Sequence, residues 1–123
     1  MNSTLTNVDL GILSGGNRNR IGTKAAAVLR DMLAVNGTLE SMSLFGNGLG
    51  AAGCELLAEG LRKSTVLKSL DLGLNSLKDE GVVKLAGALE GGGLEVLNLS
   101  NNAIGTRGMK QMAEVVCPPL LFL

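Results

Sequence analysis

The sequence predicts an α/β solenoid, a short right-handed arc of four parallel strands backed by four outer helices. Three observations predict it. From Leu67 to Leu89 the hydrophobic period changes midway. Leu70 and Leu72 alternate with polar residues, as in a half-buried strand, whereas Gly81, Val82, Leu85, Ala86 and Leu89 recur along one face of a 3.6-residue helix. The same unit then recurs, opening at Leu5, Leu39, Leu67 and Leu94, which are spaced by 34, 28 and 27 residues. Finally, the turn between strand and helix carries an asparagine each time, at positions 19, 47, 75 and 102. Self-similarity at this period marks stacked supersecondary units. The hand follows from the rule for crossovers between parallel strands.

The columns align through the whole unit. Strand positions Val8, Met42, Leu70, Leu97 and Leu10, Leu44, Leu72, Leu99 point to the core. After the asparagine come Ile21, Leu49, Leu77 and Ile104. The helices contribute Ala25, Gly53, Gly81, Gly108, then Leu29, Leu57, Leu85, Met112, then Leu33, Leu61, Leu89, Val116. At 123 residues the chain reads as one domain, with repeats at about 5–38, 39–66, 67–93 and 94–119 and an apolar tail at 120–123.

Each element follows in order. The first strand, 4–11, has no polar cap before it and presents a free edge, which invites pairing with another chain. The extra six residues of the first repeat lie between Gly11 and Asn19, in a rim loop with Arg18 and Arg20 at its end. The first helix, near 23–35, carries Arg30 where later helices carry Ala58, Ala86 and Ala113. An outer flank with no preceding neighbour would tolerate that arginine. Thr23, Asp79 and Thr106 are the expected N-caps, with Ala51 the exception. Asn36-Gly37 and Gly91-Gly92-Gly93 are the expected left-handed helix ends. The fourth strand lies within Leu94–Leu99 and the fourth helix at about 107–116, stopped by Pro118 and Pro119. Leu77 precedes the next opening leucine by 17 residues, and 17 residues after Ile104 stands Leu121, so a fifth repeat begins there without being completed.

The run Leu67, Leu70, Leu72, Asn75, Leu77 resembles the leucine-rich-repeat consensus. The repeat length and the glycine-led helix, as in Leu49 to Leu57, resemble its ribonuclease-inhibitor-like subfamily. That subfamily's repeats occur in nucleotide-binding immune receptors and in the Ran GTPase activator. The resemblance covers residues 4–117 and implies the fold. Fold alone does not imply function.

Composition excludes several classes. Net charge is zero, so no basic footprint for nucleic acid or an anionic membrane is present. No apolar run approaches the ~20 residues of a membrane-spanning helix. There is no histidine, and the two cysteines, Cys54 and Cys117, sit in different repeats, so neither a metal site nor a disulfide framework is expected. Cys54 shares its column with Ala26, Val82 and Met109 and should pack as a small hydrophobe. A reduced, cytoplasmic setting suits this cysteine usage.

Side chains between the core leucines face the concave side of the sheet. They are Asn7, Asp9, Gly11; Ser41, Ser43, Phe45; Ser69, Asp71, Gly73; and Val96, Asn98, Ser100. This face is small, polar and mildly acidic, with Phe45 its single large apolar anchor. Asp9 and Asp71 are two strands apart, about 10 Å, which is too far for a coupled acid pair. Asn19, Asn47, Asn75 and Asn102 are expected to be structural, bonding backbone groups of their own and adjacent turns. The expected function is a non-catalytic module that binds another protein by displaying strand and rim residues on a curved scaffold, without a cofactor, and part of a longer array; lacking Trp, Tyr and Arg, the concave face is expected to be a weak interface by itself. The alternatives are a regulator of a small GTPase, implied by the resemblance, and a repeat fragment that self-associates through strand edges.

Overall fold

The computed structural model describes residues 6–11, 22–90, 93–115 and 121–122. Leu5, the rim loop 12–18 with Arg18, and Asn19, Arg20, Ile21, Val116 and the Cys117–Pro119 stop lie outside the described residues. Strand and helix alternate along the chain. They are β1 (Asn7–Asp9), α1 (Thr23–Val35), β2 (Ser41–Ser43), α2 (Gly50–Lys63), β3 (Ser69–Asp71), α3 (Lys78–Leu89), β4 (Val96–Asn98), α4 (Thr106–Val115) and β5 (Leu121–Phe122). The four strand–helix units expected are present. The two-residue β5 stands where the spacing places the start of a fifth repeat.

The sheet is parallel throughout, in the order β1-β2-β3-β4-β5. Register follows the columns: Val8, Met42, Leu70 and Leu97 are in line, flanked by Asn7, Ser41, Ser69, Val96 and by Asp9, Ser43, Asp71, Asn98. Strands are three residues long because the chain bends at once into the asparagine turn. The ladder nonetheless continues past them, with Leu44 N donating to Asp71 O, Gly46 N to Gly73 O and Gly50 N to Asn75 O at 2.8–2.9 Å.

Met42, Leu70 and Leu97 from the sheet pack against Leu33, Leu57, Leu85 and Met112 from the helices, all within 1% of full burial. The two apolar faces, read from periods of two and 3.6, meet in a single core. Glycines set how closely the helices approach. A Cβ at Gly60 would stand 2.6 Å from the carbonyl oxygen of Arg30, so α1 and α2 touch backbone to side chain-free backbone.

Several expectations are corrected. Arg30 does not occupy the outer flank: its backbone lies against Gly60 and its guanidinium reaches Glu59 on α2 at 3.4 Å, after pairing with Asp31 at 3.0 Å. The flank of α1 turned away from α2 carries Val28 and Val35 instead, 68% and 65% exposed. Leu10 is 41% exposed although its column mates Leu44 and Leu72 are fully buried. Met109 is 48% exposed although Ala26, Cys54 and Val82 in its column are fully buried. Both lie in terminal units, where a column loses the neighbouring layer that covers it inside the array.

Helix ends also differ. Thr23, Asp79 and Thr106 fall inside the first turns, and Gly22, Leu49 and Leu77 are the caps of α1, α2 and α3, with no side-chain cap bond. Gly37 does not take the left-handed conformation; Asn36 ends α1 in extended geometry. Its Oδ1 accepts from Thr38 N (2.8 Å) and Leu39 N (2.7 Å), so the side chain turns the backbone there. Glu90 ends α3, also in extended geometry, and Gly93 is not left-handed; Gly91 and Gly92 lie outside the described residues.

Candidate functional site

The parallel register brings the sequence-selected side chains onto one helix-free face. Asn7 and Asp9 on β1 are exposed; Ser41, Ser43, Ser69, Asp71, Val96 and Asn98 on the next three strands are half-buried, as are Phe45 and Ser100 just beyond them. Asp9 and Asp71 are separated by Ser43 in register. Arg18 and Arg20, the rim-loop candidates, lie outside the described residues.

Each of the outward carboxylates is fixed locally. Asp9 Oδ1 accepts from Gly11 N and Asp71 Oδ1 from Gly73 N, both at 2.9 Å. Asn98 Oδ1 makes the same bond to Ser100 N at 2.9 Å. A short acceptor at the strand end thus holds the chain as it leaves the sheet, and an amide does this as well as a carboxylate.

Phe45 is seated by glycine. A Cβ at Gly73 would lie 2.6 Å from its Cδ2 and 2.7 Å from its Cε2, and one at Gly11 would lie 3.1 Å from its Cβ. The aromatic ring therefore rests on the bare backbone of the neighbouring turn, beside Asp71. Asp9, Ser43, Phe45 and Asp71 border one shallow depression. The sequence named these residues singly; that Gly73 makes room for the ring, and Gly11 for its Cβ, is legible only once the register is known.

Beneath this face runs the asparagine column. Asn75 Nδ2 donates to the carbonyls of Leu44 (2.9 Å), Leu72 (3.0 Å) and Gly73 (3.0 Å), while its Oδ1 accepts from Asn47 N (3.1 Å) and Leu49 N (3.2 Å). Asn102 repeats the pattern toward Leu72, Leu99 and Ser100, and accepts from Asn75 N at 2.8 Å and Leu77 N at 3.3 Å. Asn47 Nδ2 donates to Leu10, Leu44 and Phe45 carbonyls. These buried amides satisfy polar backbone that the tight turns would otherwise orphan. Asn19 lies outside the described residues.

Cys54 is fully buried, its Sγ donating to Gly81 O at 3.4 Å, and burial pushes its thiol up to about 12. It packs as the small hydrophobe its column predicts. Among the described residues, no helix is long and apolar enough to cross a membrane.

The family model of the Leucine Rich repeat matches residues 35–58, 63–86 and 94–113. The chain is 37% identical over 94 residues to NACHT, LRR and PYD domains-containing protein 12 of Mus musculus, covering 73% of this chain and 9% of that protein. It is 34% identical over 90 residues to NACHT, LRR and PYD domains-containing protein 5 of Bos taurus, covering 72% and 8%. Similarity to RAN GTPase-activating protein 2 of Arabidopsis thaliana is 29% over 94 residues, covering 75% and 17%. The chain thus spans less than a fifth of each of these relatives' own length.

Proposed function

The chain belongs to the leucine-rich repeat family, and from that premise we propose that it is a non-catalytic module that binds another protein through the helix-free face of its sheet. One observation carries this reading. The parallel register lines up outward side chains from four strands on a scaffold whose backbone is tied together by the asparagine column. A rigid sheet that displays side chains at fixed spacing loses little conformational freedom on binding. On this reading residues 1–123 act as one unit, repeats 5–38, 39–66, 67–93 and 94–119 with tail 120–123, within a longer array in the cytoplasm. The alternative to a longer array is a repeat fragment that self-associates through its strand edges. The test is a pair of blocking variants. Ser69→Arg, on the face, abolishes partner binding, while Glu55→Arg, on α2, leaves it unchanged; equal effects of the two would sink the reading.

A second reading is a regulator of a small GTPase. What favours it is the similarity to a plant protein named as a Ran GTPase activator. Such a regulator would position a partner's catalytic groups rather than supply its own. Single-turnover GTP hydrolysis by a panel of small GTPases, with stoichiometric chain added, tests it: no acceleration ends the idea.

A further inference from the structure

We propose that the helix-free face recognises a basic segment of its protein partner: an arginine stacks on Phe45 beside Asp71, and a second cation three residues away meets Asp9. This deepens the reading above and rests on it.

The charge distribution selects the partner. The whole chain is neutral, yet the strand and strand-end positions of this face hold Asp9 and Asp71 and no lysine or arginine among the described residues. The described basic groups lie elsewhere and several are engaged: Arg30 with Asp31 and Glu59, Lys68 with Glu95, Lys84 with Glu55. A single-sign surface attracts the opposite sign and repels its own.

Geometry then selects the side chain. Phe45 has its ring edge on Gly73 and remains half-buried, so part of the ring is open beside the Asp71 carboxylate. A planar guanidinium can lie on an aromatic face and direct N–H donors to a carboxylate at once; an ammonium offers a point charge without the plane. Asp71 Oδ1 is occupied by Gly73 N, which fixes the carboxylate and leaves Oδ2 for an outside donor. Asp9 is held the same way by Gly11 N.

Spacing selects the segment. Asp9 and Asp71 are two strands apart in register, about 10 Å. In a polyproline II segment, residues i and i+3 project from the same side roughly 9 Å apart. The motif that fits is therefore arginine, two intervening residues, then a second basic residue.

The probe is a capped Gly-Arg-Ala-Pro-Arg-Gly peptide, followed by backbone NMR of the full chain. Peptides with both arginines replaced by glutamine or by glutamate serve as controls. The expected result is shifts at Gly11, Phe45 and Gly73 with the arginine peptide alone, weakening severalfold as salt is raised. Asp71→Asn should weaken binding at least fivefold, and it should fold normally because Asn98 makes the same turn bond with an amide. Phe45→Leu should weaken it similarly. Equal binding by the glutamate peptide, absence of shifts on this face, or indifference to both substitutions would overturn the proposal. The two readings fail separately: if Ser69→Arg blocks a partner whose bound segment has no basic residue, only the arginine inference falls, whereas equal effects of Ser69→Arg and Glu55→Arg sink the interaction-module reading.

Discussion

The carboxylate of Asp79, in the first turn of α3, caps the next helix rather than its own: Asp79 Oδ1 accepts from Gly108 N at 3.0 Å and from Gly105 N at 2.8 Å. A Cβ at Gly108 would stand 2.5 Å from that oxygen, so the glycine and the aspartate fit only together. The first amides of a helix have no intrahelical partner, and here the preceding repeat supplies one. Asp79→Ala should cost about 1 kcal/mol in urea unfolding, with Asp79→Asn close to wild type because an amide oxygen also accepts. An unchanged midpoint for Asp79→Ala would show the cap to be idle.

The asparagine column should be graded by how many buried groups each member serves. Removing Asn75 leaves the buried Asn47 and Leu49 amides without their acceptor, while the Leu44, Leu72 and Gly73 carbonyls keep Asn47 Nδ2, Asn102 Nδ2 and Gly46 N as donors. Asn47 serves carbonyls with Nδ2, but its buried Oδ1 has no partner. Each buried group left unsatisfied costs roughly 1–3 kcal/mol. Asn75→Ala should therefore destabilise by about 3 kcal/mol or more, and by more than Asn47→Ala. Chemical denaturation of the two variants decides the order.

Three columns of the turn take a left-handed backbone: Gly46 and Leu74, Gly48 and Ser76, Gly50 and Lys78. Gly48 has φ 63° and its successor in the next repeat, the exposed Ser76, has φ 55°. A side chain in that region costs roughly 1–2 kcal/mol, offset in part by the greater chain entropy of glycine. Ser76→Gly should stabilise the fold by about 0.5–1 kcal/mol, read as a raised melting temperature.

Cys54 makes stability depend on alkaline pH. Its thiol is raised by burial from 9.0 to about 12. Below pH 9 both folded and unfolded states hold the proton, and this contribution is fully present. Between about 9 and 12 the unfolded chain loses the proton while the folded chain keeps it, so stability falls by up to about 1.4 kcal/mol per pH unit. Denaturation at pH 8, 9 and 10 should show this slope in wild type and a shallower one in Cys54→Ala.

Much of the architecture is legible in residue periodicity. The leucine columns give strand register, helix identity and the outward face, and Thr23 and Val35 bound α1 where the pattern places them. What escapes the sequence depends on neighbours distant along the chain. Asp79 looks like a local N-cap because local spacing alone cannot reveal a partner 29 residues on. Ser76, Leu74 and Lys78 adopt left-handed turns without glycine, so only alignment with Gly46, Gly48 and Gly50 would have shown them. Arg30 was legible as an oddity but not in direction, since its column faces the following helix. The candidate face was legible residue by residue; the seating of Phe45 on Gly73 was not.

The most direct test of the account places a photo-activated cross-linking residue at Ser69, on the helix-free face, and another at Glu55, on α2. The account predicts that a partner protein in cell extract is trapped from Ser69 and not from Glu55. Trapping from Glu55 alone would contradict it and move the binding surface to the helices.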